Sequence, residues 1–306
     1  MKITVVVVNW NGGRYIAKCL TALGHLHLPS GIELETIVVD NASTDNSVSV
    51  INKFSSFKLI KNPDNLGYTE GNNVGIRQAL ASRSDFIWIV NPDIEVSPDS
   101  LTALVKAAGI YPQTGIFGSK IYFAPGYEFH KDRYTKKDLG KVIWYVGGLN
   151  DWNNIQGVHP GVDEVDHGQF QDDRVTDFIT GASMFVRRQV FEEIGLFDPG
   201  YFLYYEENDF CRRAERKGFN LMVIPKSVAW HANAQATGVG SPLQDYYITR
   251  NRLLFGLRYA PLKMKILLIR QSLKLLFTGR PWQKKGVWDF YTGNMGRGSF
   301  VPGKPL

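Results

Sequence analysis

The stretch from residue 86 to residue 93, FIWIVNPD, constrains the fold of this chain more than any other segment. Its five leading apolar residues predict a strand buried on both faces, which is typical of a parallel sheet covered by helices. The Asn91-Pro92 pair ends that strand because proline has no amide hydrogen to continue the ladder. Asp93 then follows the carboxyl end of a central strand, the edge at which open α/β sheets bind ligands. Asp93 is therefore either a metal-binding carboxylate or a solvated turn residue.

The chain before this stretch alternates short apolar runs with helical periodicity. The predicted strands cover residues 3–8, 33–39, 57–60 and 86–90, and the predicted helices cover residues 14–28, 43–54 and 69–81. We expect Ser43, Thr44 or Asp45 to cap the second helix. Short strands that alternate with helices predict an α/β, Rossmann-like fold in which a parallel sheet carries helices on both faces.

An asparagine or an aspartate follows each of these four strands. The residues are Asn9 and Asn11, Asp40 and Asn41, Asn65, and Asn91 and Asp93. Because the carboxyl ends of parallel strands meet at one edge of a sheet, this repetition predicts a polar ligand cleft there. The first turn, NWNGGRY, does not match the GxGxxG pattern and no P-loop pattern occurs, which argues against dinucleotide and P-loop sites.

Length and composition describe an ordinary folded protein. With 306 residues, of which 44% are hydrophobic and 21% charged, the chain can bury a large core as one large or two small domains. Cys19 and Cys211 fall in apolar helical patterns, and we expect buried free thiols in a reducing compartment. The apolar run near the N-terminus is too short for a signal peptide or a membrane span.

Residues 122–175 lack a clear periodicity and are rich in Gly, Asp, His, Tyr and Trp. A long irregular segment in a compact protein is usually functional, and aromatic rings beside carboxamides and acids suit carbohydrate. A plain surface excursion is the alternative. Apolar strand-like sequence returns at residues 175–187, interrupted by the small residues Gly181 and Ala182.

A helical pattern at residues 203–217 begins with Glu206, Glu207 and Asp209 and ends with four basic residues. This order of charges complements the helix dipole and needs no function to explain it. The alternative is a general base presented at the start of the helix, with the aromatic residues 201–205 lining a pocket. A predicted strand at residues 219–225 places His231 just beyond it, where a histidine is either structural or a ligand.

The residues from Arg250 onward differ in charge from the rest of the chain. They carry twelve Lys and Arg residues against one acid, Asp289, a formal charge of +11, which leaves −5 for residues 1–249. A helical pattern at residues 262–277 is too short and too charged to span a bilayer. Its apolar stripe consists of Leu262, Ile266, Ile269, Leu273 and Leu276. The stripe either packs on the domain or lies in an anionic membrane interface.

Seven stretches together resemble family 2 inverting glycosyltransferases of the GT-A fold, and most closely their rhamnosyltransferase-like branch. They are VVVVNWNGG (5–13), VVDNASTDNS (38–47), NLGYTEGNNVGI (65–76), IVNPDIEV (89–96), TGASMFVRR (180–188), GLFDPGYFLYYEENDFCRR (195–213) and AWH (229–231). The resemblance implies a GT-A domain at residues 1–245, with a nucleotide-sugar half at 1–121 and an acceptor and catalytic half at 122–245. A basic helical region at 246–306 would follow.

The resemblance also implies a role for each matching residue. The nucleotide sugar would be bound by Asn9, Asn11, Gly12, Asp40, Asn65, Gly67, Asn73, Asn91 and Asp93, with Asp40 at a pyrimidine base. The acceptor side would contain Gly181, Ala182 and Tyr204. Mn²⁺ or Mg²⁺ would be held by Asp93 and His231, with Asn91 in place of the first carboxylate of the family's DXD motif. The catalytic base would be Glu207, with Glu206 and Asp209 as alternatives.

These roles predict the inverting transfer of a sugar, L-rhamnose from dTDP-L-rhamnose, onto a cell-surface polysaccharide or a lipid-linked glycan. A UDP- or GDP-sugar is the alternative donor. A nucleotidyltransferase would need a Gly-rich, Lys-containing loop after the first strand, and NWNGGRYIAK is only a weak version of such a loop. A non-catalytic nucleotide-sugar binding module would have no need of the acidic pair Glu206-Glu207. We expect a cytoplasmic protein that lies on the inner face of the cell membrane through its basic tail and binds no nucleic acid.

Overall fold

The computed structural model describes residues 1–232 and 240–301. The strands of this part of the chain are β1 (Lys2–Asn9), β2 (Glu33–Asp40), β3 (Lys58–Lys61), β4 (Phe86–Val90), β5 (Ile94–Val96), β6 (Thr114–Phe123), β7 (Ile143–Tyr145), β8 (Leu149–Asp151), β9 (Gln156–Val158), β10 (Arg174–Val175), β11 (Ser183–Arg187) and β12 (Asn220–His231). Its helices are α1 (Ile16–Gly24), α2 (Ser47–Ile51), α3 (Gly67–Ala81), α4 (Ser100–Ile110), α5 (Arg188–Ile194), α6 (Glu206–Arg216), α7 (Pro242–Tyr259), α8 (Leu262–Thr278) and α9 (Pro281–Tyr291). None of these helices has the length and apolar character required to cross a membrane.

One mixed sheet forms the centre of the molecule. Its strand order is β10-β12-β6-β11-β4-β1-β2-β3, and β5 and β7 pair with β12 and β6. The strands β3, β2, β1 and β4 run parallel to one another. Helix α3 packs against β1 and β2, and α4 packs against β6 and β12. The predicted α/β fold is therefore confirmed, with β11 added as an antiparallel strand between β4 and β6.

Strand β4 lies in the middle of the sheet, as its sequence predicts. All five of its residues are buried between β1 and β11. The indole of Trp88 donates a hydrogen bond to Ser183 Oγ at 3.0 Å, so this large side chain is buried with its polar atom paired. Beyond the strand, the amide of Asn91 donates to the carbonyl of Ala182 at 3.1 Å. The Asn-Pro-Asp turn that follows is thus fixed at the carboxyl edge of the sheet.

Two elements near this edge differ from the prediction. Helix α2 begins only at Ser47, with Asn46 at its N-cap, because the polar residues before it bond to the turn after β1 instead. Ser43 Oγ accepts from the amide of Asn11, and Asp45 accepts from the amide of Gly13, both at 2.9 Å. Strand β12 continues through a bulge between residues 224 and 228 and ends at His231, which is therefore part of the strand.

The irregular segment at residues 122–175 contains short pieces of structure. Strand β7 extends the main sheet, and β8 and β9 form a two-stranded hairpin. Lys120 and Asp166 form a buried ion pair at 2.7 Å that attaches this segment to β6. Cys19 and Cys211 are buried free thiols in α1 and α6.

Helices α7, α8 and α9 pack on one another at the C-terminal side. Helix α7 spans the expected boundary between residues 245 and 246, and α9 lies beyond the helical region that periodicity predicts. The segment after α9 returns to α7, where Phe300 joins Tyr246, Tyr247 and Trp282 in a buried aromatic cluster. The C-terminal helices are therefore joined to the domain by a shared core.

The apolar stripe of α8 faces away from this core. Leu262, Ile266, Ile269 and Leu273 are exposed. The buried residues of α8 are instead Leu268 and Ser272. The hypothesis that this stripe packs on the domain is therefore wrong for four of its five residues.

Candidate active site

A cleft of about 300 Å³ opens at the carboxyl edge of the parallel strands, and we call it the sheet-edge cleft. Its lining from the N-terminal half consists of Val8, Trp10, Asn11, Gly12, Tyr15, Asn41, Asn65, Gly67, Tyr68, Asn91, Pro92 and Asp93. Its lining from the C-terminal half consists of Phe202, Leu203, Leu243, Tyr247, Arg297 and Phe300. Six of the nine residues expected to bind the nucleotide sugar are in the first group.

Asn9 and Asp40 lie beneath this lining and bond to each other. Asn9 Nδ2 donates to Asp40 Oδ1 at 2.9 Å, and Ser43 donates to the same carboxylate through its amide at 3.0 Å and its hydroxyl at 2.6 Å. Asp40 is only 2% exposed, so a base could contact its carboxylate only if the groups that cover it moved. Asn9 Oδ1 is buried without a hydrogen-bond partner among the described residues, and it faces Gly12, where a Cβ would collide with it.

Asn73 is further from the cleft than the resemblance implies. Its side chain donates to the carbonyl of Phe197 at 2.9 Å and accepts from the amide of Phe197 at 3.1 Å. This pair of bonds fixes α3 to the loop before α6. We therefore assign Asn73 a role in the framework around the cleft.

Asp93 and His231 come together although they are far apart in sequence. His231 Nε2 lies 3.2 Å from Asp93 Oδ2, and the Trp144 ring packs edge-on against the imidazole at a centroid distance of 4.3 Å. Within residues 1–232 and 240–301, His231 Nδ1 and Asn91 Oδ1 are buried without a hydrogen-bond partner. A carboxylate, an imidazole and an unpaired amide oxygen are a donor set that fits Mg²⁺ or Mn²⁺.

The protein supplies few ligands to such an ion. No group of three or more His, Cys, Asp or Glu side chains with metal-binding geometry exists in the described part of the chain. The remaining ligands would have to be oxygen atoms of a bound substrate or of water, which is the usual arrangement for Mg²⁺ at phosphates.

Glu206 and Glu207 open α6, and Oε2 of each carboxyl group is buried without a hydrogen-bond partner among the described residues. Burial, and then the charge of Glu207, raise the pKa of Glu206 well above its usual range. Burial also raises the pKa of Glu207, and a hydrogen bond from the backbone opposes that rise. Both carboxyl groups therefore bind a proton more readily than a solvated glutamate does, which suits a general base.

Tyr68 connects these glutamates to the sheet-edge cleft. It lines the cleft, and its hydroxyl donates to the carbonyl of Gly181 at 2.8 Å. Burial, the charges of Glu206 and Glu207 and, more weakly, that of Asp93 raise the pKa of the Tyr68 phenol. The charges of the proposed metal ligand and of the proposed base thus both act on the Tyr68 phenol. The sequence predicted no role for Tyr68, although it lies in the stretch NLGYTEGNNVGI (65–76).

Gly181 and Ala182 support the wall of the cleft. A Cβ on Gly181 would collide with the Tyr68 hydroxyl, so the close approach of the two segments requires glycine here. The carbonyl of Ala182 accepts from the amide of Asn91, as described above. These two residues therefore hold the cleft walls in place from behind.

Asp209 belongs to a different environment from the glutamate pair. It is fully buried and forms ion pairs with Arg213 at 2.8 Å and Arg258 at 3.1 Å. The hydroxyls of Tyr201 and Tyr259 donate to it at 3.2 and 2.7 Å. With both oxygens bonded, Asp209 is a structural link between α6 and α7, and this leaves the two glutamates as candidates for the base.

The loop before α6 has a strained backbone. Phe202, Tyr204 and Tyr205 have φ values of 65°, 68° and 71°, in the left-handed region that residues with side chains rarely adopt. Asn251 of α7 stabilises this loop because its Nδ2 donates to the carbonyls of residues 201, 203 and 204 at 2.8, 2.7 and 2.9 Å. The neighbouring Arg250 adds a bond to the carbonyl of residue 201 at 2.9 Å.

Comparisons with known proteins agree with this arrangement. The N-acetylglucosaminyl-diphospho-decaprenol L-rhamnosyltransferase of Mycobacterium tuberculosis is 25% identical over 250 residues, which cover 76% of this chain and 77% of that protein. The structure of Staphylococcus aureus TarS 1-349 with UDP-GlcNAc aligns with a TM-score of 0.57 at 17% identity, covering 95% and 80% of the two chains. The mannosyltransferase PcManGT of Pyrobaculum calidifontis, solved with GDP-Man and Mn²⁺, aligns with a TM-score of 0.55 at 16% identity, covering 98% and 76%.

The two structural likenesses establish a common GT-A fold, which the sheet order above shares. The family model described as glycosyl transferase family 2 matches residues 4–195, which is more than half of the chain. It includes the strand-end loops of the sheet-edge cleft and ends before the glutamate pair. The chain therefore belongs to glycosyl transferase family 2.

Proposed function

We propose that this enzyme transfers a hexose with inversion from a nucleoside diphosphate to a hydroxyl group of a cell-surface polysaccharide or lipid-linked glycan. The observation that carries the proposal is that Tyr68 lies between a polar cleft with Asp93 and a buried pair of glutamates. The cleft would hold the donor, and the glutamates would lie at the acceptor hydroxyl. A non-catalytic binding module has no use for two adjacent acids whose pKa values are raised by burial.

In the proposed reaction, Glu207 accepts the proton of the acceptor hydroxyl as its oxygen bonds to the anomeric carbon. The bond from that carbon to the diphosphate oxygen breaks on the opposite face, and the nucleoside diphosphate leaves with the electron pair. Glu206, its neighbour at the start of α6, is the alternative base. Asp93, His231 and Asn91 are the residues that would hold Mg²⁺ or Mn²⁺, which when bound offsets charge on the diphosphate.

The first donor to test is dTDP-L-rhamnose. Support comes from the mycobacterial relative, which is named as an L-rhamnosyltransferase and matches three quarters of both chains. UDP- and GDP-sugars are the alternatives, because structural neighbours were solved with UDP-GlcNAc and GDP-Man. The donor is therefore proposed at the level of a nucleoside diphospho-hexose, with rhamnose as the leading member.

A thermal-shift panel of dTDP-, UDP-, GDP- and CMP-sugars, with Mn²⁺ and with EDTA, tests this proposal. A ligand that binds only the folded state raises the melting temperature by mass action. We expect a shift with dTDP-L-rhamnose that is larger in Mn²⁺, followed by release of dTDP when membrane extract supplies acceptors. Binding of CMP-sugars alone, or of no sugar nucleotide even with extract present, would contradict the proposal.

We also propose that α8 and α9 contact an anionic membrane, where a lipid-linked acceptor would reside. The supporting observations are the exposed apolar stripe of α8, the exposed Phe277 and Trp288, and the net charge of +11 from residue 250 onward. Trp288 and Leu276 line a shallow groove together with Lys284 and Lys285. Apolar side chains beside lysines and a tryptophan are typical of helices that lie in the interface.

Co-sedimentation with vesicles tests this contact. The double variant Ile266→Ser/Leu273→Ser should lower binding to phosphatidylglycerol vesicles several-fold and leave donor binding intact. Ile110→Ser is the matched control, because Ile110 is an exposed isoleucine at the end of α4. Equal binding by the double variant and the control would show that the stripe is not the membrane contact.

A further inference from the structure

Two charged side chains, Asp93 and Arg297, are present among the described residues that line the sheet-edge cleft. Asp93 lies at the end of the sheet, where the proposed metal ligands meet. Arg297 comes from the turn after α9, which lies outside every stretch that resembles the family. The cleft therefore combines a carboxylate from the sheet with a cation from the C-terminal region.

The turn that carries Arg297 is firmly attached to the rest of the molecule. The Tyr247 hydroxyl donates to the carbonyl of Arg297 at 2.9 Å. On one side, the amide of Gly296 donates to the carbonyl of Gly200 at 2.9 Å. On the other side, the amide of Ser299 donates to Asp289 Oδ2, also at 2.9 Å. The position of the Arg297 backbone at the cleft is thus fixed by three elements.

The tight shape of this turn depends on two glycines. Gly296 and Gly298 have φ values of 63° and 58°, which glycine adopts without strain. A Cβ on Gly298 would also collide with the hydroxyl of Tyr246. The sequence Gly-Arg-Gly therefore presents one long cationic side chain from a compact turn.

The guanidinium of Arg297 differs from those of Arg213 and Arg258, which pair with acidic side chains. Arg213 pairs with Asp209 at 2.8 Å, and Arg258 pairs with Asp198 at 2.6 Å. No Asp or Glu carboxylate lies within ion-pair distance of Arg297 in the residues that the structure describes. Its side chain remains exposed and its charge is available to a ligand of the cleft.

We propose that Arg297 binds the diphosphate of the donor, a role that rests on the function proposed above. The planar guanidinium matches two phosphate oxygens at once, so it can orient the diphosphate as well as attract it. Because Asn91 replaces a carboxylate beside Asp93, the metal side of the cleft has one protein charge fewer for holding the ion. Arg297 supplies a protein cation that stays in place as charge builds up on the leaving group.

The test compares nucleoside diphosphates with their nucleosides on the full chain. Titration calorimetry with UDP and dTDP in Mn²⁺, and ligand-detected NMR with uridine and thymidine, separate contacts with the diphosphate from contacts with the base. Arg297→Ala should weaken the binding of the diphosphates by about 10- to 100-fold, which is the effect expected for loss of hydrogen bonds to charged groups. The affinity for the nucleosides should not change, and Arg297→Lys should give an intermediate loss.

Lys106→Ala is the matched control, because Lys106 is an exposed cation on α4 that lines none of the clefts described. If Arg297→Ala lost equal affinity for nucleosides and for diphosphates, the inference would be overturned, because Arg297 would then act on the shape of the cleft. Unchanged affinity for UDP and dTDP would overturn it as well, and would leave the donor cleft intact. A wild-type chain that binds neither diphosphate would refute the donor cleft itself.

Discussion

The buried Glu206–Glu207 pair is the most demanding feature at the scale of single residues. Two adjacent carboxyl groups in a low-dielectric site cannot both ionise without a large loss of stability. Burial raises the pKa of both, and the charge of Glu207 raises that of Glu206 further. A raised pKa suits the proposed role of a general base.

The pair predicts different effects for two isosteric substitutions. Glu207→Gln removes the base and should lower kcat by about 10²- to 10⁴-fold, with the donor dissociation constant unchanged. Glu206→Gln keeps the shape of the side chain and leaves Glu207 unchanged, so it should retain most of the activity. Steady-state kinetics with donor titrations on both variants provide the measurement. Full activity of Glu207→Gln would move the base to another residue.

Glu206 also predicts a dependence of stability on pH. Because its pKa is higher in the folded state than in the unfolded chain, folding loses stability as pH rises toward and through the folded pKa. Glu206→Gln abolishes this titration, so the melting temperature of the variant should exceed that of the wild type by an amount that grows from pH 5 to pH 8. The exposed Glu164→Gln is the control and should show a constant difference.

The proposed metal ligands make a third prediction at this scale. Asp93→Ala should abolish the difference between Mn²⁺ and EDTA in the binding of dTDP, because it removes the charged ligand. Asp99→Ala, a change at an exposed aspartate that pairs with His27, should preserve that difference. Calorimetry with and without the ion measures both. An Asp93→Ala variant with full Mn²⁺ dependence would contradict the assignment.

The residues that line the cleft could be predicted from the sequence better than the contacts that buried polar residues make. The strand-end residues Asn11, Asn65 and Asp93 reach the cleft because the carboxyl ends of parallel strands meet at one edge. Asp209 shares α6 with the glutamates, yet it faces Arg258 of α7, and no local pattern reveals that partner. Asn73 faces Phe197 for the same kind of reason.

At the scale of elements, the loop between α5 and α6 depends on α7. Three of its residues have a left-handed backbone, and the side chain of Asn251 satisfies three of its carbonyls. The loop lines the cleft through Phe202 and ends at Glu206. Helix α7 therefore fixes where α6, which carries the proposed base, begins relative to the sheet-edge cleft.

Removal of the Asn251 side chain should therefore affect both stability and catalysis. Asn251→Ala removes the bonds to the carbonyls of residues 203 and 204, whereas the carbonyl of residue 201 keeps its bond from Arg250, so the change should cost about 2 kcal/mol, at about 1 kcal/mol for each hydrogen bond. We expect a lower melting temperature and a lower kcat, with a smaller effect on dTDP affinity. Asn251→Asp, which keeps the shape without the donors, should behave in the same way. Normal kcat in both variants would show that the loop holds its conformation unaided.

The elements themselves illustrate what periodicity can reveal. Strands β1 to β4 follow from their apolar runs, and their parallel order follows from the helices between them. The insertion of β11 between β4 and β6 could not be predicted, since it pairs residues nearly a hundred positions apart. In α8 the stripe was identified, but Leu268 packs on the core from another face of the helix.

At the scale of the whole molecule, the C-terminal region completes the fold instead of forming a separate appendage. Phe300 packs with Tyr246, Tyr247 and Trp282, and Arg297 lines the cleft. A deletion that begins at Leu262 would remove both contacts together with the proposed membrane stripe. Vesicle binding is therefore better tested with point variants than with such a deletion.

A shorter truncation tests this integration directly. A chain that ends at Tyr291 lacks the turn with Arg297 and Phe300 but retains the whole sheet. It should melt several degrees lower, because burial of a phenylalanine contributes about 3 kcal/mol, and it should bind UDP and dTDP more weakly. A chain that ends at Val301 keeps the turn and is the control. Equal nucleotide affinity of the two chains would show that the turn does not contribute to nucleotide binding in the cleft.

The contribution of Arg297 and Phe300 to the cleft also has a consequence for synthesis. A growing chain folds from its N-terminal side, so the sheet and its polar strand ends emerge from the ribosome first. Arg297 and Phe300 emerge only after the sheet. A partly synthesised chain would thus contain Asp93 and both glutamates and still lack the arginine that we propose to bind the diphosphate.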